Sequence, residues 1–191
     1  IAPSTGALVL HKPVNPYVFN VRATYQREAE RAIAHLSTLN VERIGVIVVN
    51  DSFGADGLEG VNRGFTATKK EPVFSLKYDR AKPDLAELVK QAQASNPQAI
   101  VFLGSGIAMA EGVKAVRTAG VRTQFVTLSN NASGGFAKLL GDYAAGTVVT
   151  QVFPPERNTS LKMIRELTEL AQAKGVKEVS PAMVEGFAAA K

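Results

Sequence analysis

The sequence predicts an α/β fold, a mostly parallel sheet flanked by helices, and three stretches make the case. Ile44 to Val49, Ala99 to Leu103 and Gln124 to Leu128 are uncharged runs rich in β-branched or aromatic residues. Such runs suit strands covered on both faces. Each is followed by small polar residues and then by a helical pattern: Asn50-Asp51-Ser52, Gly104-Ser105-Gly106 and Ser129-Asn130-Asn131. In open α/β sheets the edge at the carboxyl ends of the strands is where ligands bind. Three strands ending alike predict one shared crevice.

Along the chain, Ile1 to Pro16 reads as a loop broken by Pro3, Pro13 and Pro16, with Ser4-Thr5-Gly6 offering hydroxyls and amides at a turn. Val18 to Arg22 alternates like a short strand. Thr24 suits an N-cap for a helix from Tyr25 to Leu39, with Ala29, Ala32, Ile33 and Leu36 inward and Arg27, Glu28, Glu30 and Arg31 on the wet face. After the strand Ile44 to Val49 comes a polar turn carrying Gly54 and Gly57. A helix from Ala55 to Lys70 follows, burying Leu58, Val61 and Phe65.

Val73 to Tyr78 predicts a second strand, and Pro83 the first turn of a helix from Asp84 to Ser95. The strand Ala99 to Leu103 leads to a helix from Ile107 to Ala119, closed by Gly120. Gln124 to Leu128 leads to a short helix from Gly135 to Leu140, and Thr147 to Phe153 forms the last strand. Alternating β and α elements with right-handed crossovers give the parallel sheet. The tail differs: Ser160 to Lys174 and Pro181 to Ala190 are successive helices with no strong strand between them.

Composition excludes several functions. A hydrophobic content of 46% with 20% charged residues is ordinary for a globular protein. The net charge of +5 is dispersed, whereas nucleic-acid binding asks for a basic face with interleaved aromatics; no nucleic-acid partner is expected. There are no cysteines, hence no disulfide framework or thiolate metal site. The two histidines, His11 and His35, lie far apart without a carboxylate cluster, so no metal and no cofactor are expected. The chain opens on Ile1 and runs to Lys191 within a helical pattern, which leads us to expect a fragment or a processed piece.

Catalytic motifs fail on spacing. Gly104-Ser105-Gly106 lacks the small residue that a dinucleotide fingerprint needs at position 109, where Met109 stands. Ser105 lacks the G-x-S-x-G frame, because Leu103 occupies the first glycine position. Asp51 at a strand tip reads as a base or as a turn-former bonding nearby amides, and the second reading is the commoner one. No catalytic residue is assigned, and no enzyme is expected. The remaining hydroxyls, amides and helix N-termini suit reversible binding of a small, anionic ligand.

The segments S-T-G-A, P-Y-V-F-N-V-R-A-T-Y-Q-R-E, V-V-N-D-S-F-G-A-D-G-L, K-A-V-R-T-A-G, F-V-T-L-S, G-T-V-V-T-Q-V-F-P and V-E-G-F occur in this order over nearly the whole chain. In order and spacing the sequence resembles the type I periplasmic binding proteins of the leucine/isoleucine/valine-binding family, which deliver ligands to ABC importers. The resemblance implies a periplasmic protein with two α/β lobes joined by hinges, a small-molecule ligand and the membrane permease of an importer as partner. Residues 1–22 would leave the first lobe through a hinge and 23–150 would form the second lobe. Residues 151–191 would return by a hinge to helices of the first lobe, whose N-terminal part is missing.

The resemblance also implies a ligand set: Ser4 and Thr5 for the ligand carboxylate, Phe53 where relatives often pack a Tyr, and Ser105 at another frequent aromatic position. Ser105 would leave more room there. Ser129 falls where amino-acid binders often carry a Glu for the ammonium, with Asn130 beside it. An uncharged Ser cannot balance a desolvated ammonium, so a carboxylate without an amine, or an amide, suits the pocket as well as an amino acid. The same architecture also serves ligand-sensing domains of receptors and regulators, which is the alternative reading. An α/β enzyme using Asp51 would be a third.

Overall fold

The computed structural model describes all 191 residues and divides into two compact units: Tyr25–Thr150, and Ile1–Thr24 together with Gln151–Lys191.

The larger unit is built from α1 (Tyr25–Thr38), β1 (Ile44–Val49), α2 (Ser52–Thr68), β2 (Phe74–Tyr78), α3 (Leu85–Ser95), β3 (Ala99–Leu103), α4 (Gly106–Thr118), β4 (Gln124–Thr127), α5 (Gly134–Leu140) and β5 (Thr147–Val149). The five strands form one sheet in the order β2-β1-β3-β4-β5, and every pairing is parallel. The expected sheet between helices is what the chain forms.

Strand alternation supplies the two cores. Val46 and Val48 of β1, with Val101 and Leu103 of β3, face α1 and α2, where Ile33, Leu36, Val61 and Phe65 meet them. Ile47, Ile100 and Phe102 face the other way, onto Leu88 of α3 and Met109 and Val113 of α4. Each large side chain removed from water in this way contributes about 1.5–3 kcal/mol.

The helices α1 and α2 approach closely because α2 has glycine where they touch. A Cβ on Gly60 would lie 2.1 Å from the Gln26 carbonyl oxygen. Only glycine lets backbone meet backbone there.

Several boundaries differ from expectation. α2 begins at Ser52, so Gly54 and Gly57 lie inside the helix, not in a turn before it; the Asp51 carboxylate caps this earlier start. Pro83 precedes the cap, which is Asp84, instead of sitting in the first turn of α3. β5 ends at Val149, four residues short of the expected strand, and Val18 to Arg22 forms no strand. Both stretches alternate in sequence, but alternation makes a strand only where a neighbour supplies hydrogen bonds.

Glu28 is also not on a wet face: it is 5% exposed. Tyr25, Glu28, Ala29, Ala32, Ile33 and Leu36 form one helical stripe, and polarity alone had separated Glu28 from it.

The smaller unit holds a short turn of helix at Leu8–Leu10 and two longer helices, α6 (Lys162–Ala173) and α7 (Pro181–Ala190). Ile164, Leu167 and Val184 make its core, with Phe153, Met163, Val179 and Phe187 around them. Ser180 caps α7 through the Met183 amide. Buried Arg22 pairs with Glu185, 3.3 Å from each carboxylate oxygen.

Candidate functional site

Strand order determines where the larger unit can hold a ligand. From β1 the chain steps outward to β2 through α2, on one face of the sheet. It then returns across β1 to β3 and continues through α4, on the other face. The helices that follow β1 and β3 therefore diverge, leaving a crevice beyond the carboxyl ends of these two strands.

The register brings the tips level. Val48 pairs with Leu103, so Val49 stands beside Gly104. Val101 pairs with Val126, which brings Ser129 level with Gly104 three residues on.

Side chains tie the tips together. The Asn130 amide donates to the Gly104 carbonyl at 3.1 Å and the Asn131 amide donates to the same oxygen at 2.8 Å. Asn131 is buried and donates also to Thr127 Oγ1 at 2.9 Å, so its role is to hold the turn. Asn130 Oδ1 is buried without a hydrogen-bond partner.

Half-buried Phe53, in the first turn of α2, packs edge-on to Tyr25 with ring centroids 4.9 Å apart. Phe53, Ser105, Ser129 and Asn130 thus share the carboxyl edge. Ser4 and Thr5 belong to the smaller unit, where Thr5 Oγ1 accepts the Ala7 amide at 3.3 Å.

Two charged residues that sequence reasoning passed over frame this edge. Arg80 extends from beyond β2: its Nε and Nη2 donate to Asp51 Oδ2 at 3.3 and 2.7 Å, and its Nη1 donates to Ser105 Oγ. The room expected from the smallness of Ser105 therefore has a guanidinium beside it. Asp51 bonds a nearby amide, as its turn-forming reading expects, and it holds Arg80 as well. Its Oδ1 accepts the Gly54 amide at 2.9 Å as the α2 cap, and its Oδ2 holds Arg80. Burial pushes this carboxyl upward, but the Gly54 amide and the Arg80 guanidinium outweigh it and hold it below its ordinary 3.8.

The second charged residue is Glu28, whose carboxylate accepts the Ser129 amide and hydroxyl, each at 2.9 Å, and the Thr150 hydroxyl at 2.6 Å. A carboxylate thus stands beside Ser129, contributed by α1 instead of by the strand tip.

Tyr78, at the end of β2, is pushed up to about 12 by burial; Asp51 adds to the shift, while Arg80 and the Ser105 amide oppose it. Its hydroxyl lies so near the Gly104 backbone that a Cβ there would stand 2.1 Å from it.

Both omissions had a visible signal. In a parallel sheet the tip of β2 lies on the same edge as the other tips, so Asp79-Arg80 belonged with the polar tips from the start. Glu28 stood on the apolar stripe by spacing. No group of three or more His, Asp or Glu is placed to hold a metal, and no helix is long and apolar enough to cross a membrane.

A family model described as periplasmic binding protein matches residues 1–191. Among solved structures, a substrate-binding periplasmic protein from Ralstonia solanacearum is 30% identical with a TM-score of 0.82, over 98% of this chain and 53% of that one. A possible leucine/isoleucine/valine-binding protein from Rhodopirellula baltica is 26% identical with a TM-score of 0.79, over 96% and 51% of the two chains. A branched-chain amino acid ABC transporter structure from Thermus thermophilus with bound valine shares the fold, at 16% identity and a TM-score of 0.78, over 98% and 51%. The chain spans about half the length of these structures. No curated protein matches it significantly.

Proposed function

This chain belongs to the periplasmic binding protein family, and on that premise we propose that it reversibly binds a small solute, an amino acid or another small carboxylate, for delivery to the permease of an ABC importer. It works in the periplasm. Residues 23–150 serve as the second lobe of a two-lobed protein. Residues 1–22 and 151–191 serve as hinge segments and part of the first lobe.

The observation that carries this reading is the convergence of the β1, β3 and β4 tips on one edge, tied through the Gly104 carbonyl by Asn130 and Asn131. Phe53, Ser105, Ser129 and Asn130 provide an aromatic face and neutral hydrogen-bonding groups for the solute. Two carboxylates at this edge are committed to partners: Asp51 to Gly54 and Arg80, and Glu28 to Ser129 and Thr150. Groups so engaged suit gripping a molecule, not transforming it. The neighbour with bound valine supports amino acids as one solute class to screen.

The test is a thermal-shift screen of the full-length protein against small carboxylates, amino acids and amides. A solute that binds the folded protein raises the midpoint by mass action, by about 2.7 kcal/mol of stability at a hundredfold excess over Kd. Absence of any shift across the three classes would count against the proposal.

A further inference from the structure

Building on the solute-binding reading, we infer that Arg80 is the residue that sets which solutes this edge accepts, and that it selects solutes presenting a carboxylate to the crevice beyond β1 and β3. The strand order is β2-β1-β3. Arg80 follows β2, yet its guanidinium contacts Asp51 beyond β1 and Ser105 beyond β3. It therefore crosses the crevice at the switch point, and a solute entering there meets it.

The guanidinium has donors to spare. Three of its five N–H groups are engaged, two by Asp51 and one by Ser105, which leaves two. Its side chain is 44% exposed. A planar cation anchored on one side by a carboxylate is a pre-oriented fork for a second one.

The surroundings favour the same charge. Ser105 is the N-cap of α4 but makes no side-chain cap bond; its hydroxyl is turned to Arg80 instead. The uncapped first-turn amides of α4 add partial positive charge beside the guanidinium. Asp51 offers less to a cationic solute, because the Arg80 guanidinium already balances its charge. Ile107, 64% exposed in that first turn, gives an apolar surface for the solute's chain.

The experiment is calorimetry on the full-length protein with aliphatic diacids and monoacids matched in length, from succinate against butyrate to suberate against octanoate. Amino acids and amides form a second panel. We expect at least one diacid to bind about tenfold or more tightly than its monoacid. R80Q should bring that ratio to about one, and R80K, which keeps the charge but loses the fork, should retain part of it. If Arg80 only staples the strand tips, R80Q weakens both members of each pair alike, and the inference is overturned. Binding confined to solutes without a second carboxylate also overturns it, while leaving the solute-binding reading intact. Binding in neither panel removes both. Because Arg80 is substantially exposed, both variants should fold, and R80K carries the test if R80Q does not.

Discussion

The Glu28 carboxylate takes both the amide and the hydroxyl hydrogen of Ser129, so a helix preceding the sheet holds the tip of its fourth strand. The same carboxylate holds Thr150 just beyond β5. One buried anion thereby organises three separate parts of the chain.

Glu28→Ala should accordingly be among the costly single changes. It leaves the Ser129 amide and the Thr150 hydroxyl without this acceptor, and hydrogen bonds to charged groups contribute about 1.5–3 kcal/mol each. We expect a loss of about 3 kcal/mol by urea denaturation, with Glu28→Gln falling between the variant and the parent. An alanine variant within 0.5 kcal/mol of the parent would show that the staple contributes nothing.

Glycine substitutions should separate by location. In Gly60→Ala the new Cβ meets Gln26 backbone at 2.1 Å, so α1 and α2 must part at a cost of about 2–4 kcal/mol. Gly186→Ala, inside α7 with nothing within 4 Å, should stabilise its helix by about 0.5–1 kcal/mol. Thermal unfolding of the two variants beside the parent gives both answers.

Asp51 makes the α2 cap and the Arg80 contact sensitive to acid. Its carboxyl titrates below its ordinary 3.8, so its contribution is present above that value and is lost as pH falls through the lower folded value. Asp51→Asn should remove this part of the acid dependence, leaving parent and variant closest in stability at the lowest pH. Denaturation of both proteins from pH 5 downward measures it.

Tyr78 acts at the other end of the scale. With its hydroxyl pushed up from 10.0 to about 12, the neutral form is favoured by the fold. Stability should fall between these two values as the unfolded chain ionises first. Tyrosinate absorbance should show a late-titrating group, and Tyr78→Phe should remove it.

The sheet was legible because its central strands are continuous apolar runs: β1 and β3 begin and end where the pattern changes. The end of the edge strand β5 was not. Thr147 to Phe153 alternates throughout, yet it pairs only along β4, which is four residues long.

The edge of the site was legible as strand tips, because small polar residues follow β1, β3 and β4. Its charges were harder to place. Arg80 matters through contacts 25 and 29 residues away in sequence, and Glu28 through one 101 residues away. No local pattern records such partners. For Glu28, helical spacing and residue polarity pointed in opposite directions, and burial with partners decided between them.

The most direct test of the central claim is a crystal structure of the full-length protein with a solute that stabilises it. The account predicts the intact solute lying against residues 51–53, 104–106 and 129–131. A solute held away from all three tips, or converted to a product there, would contradict it.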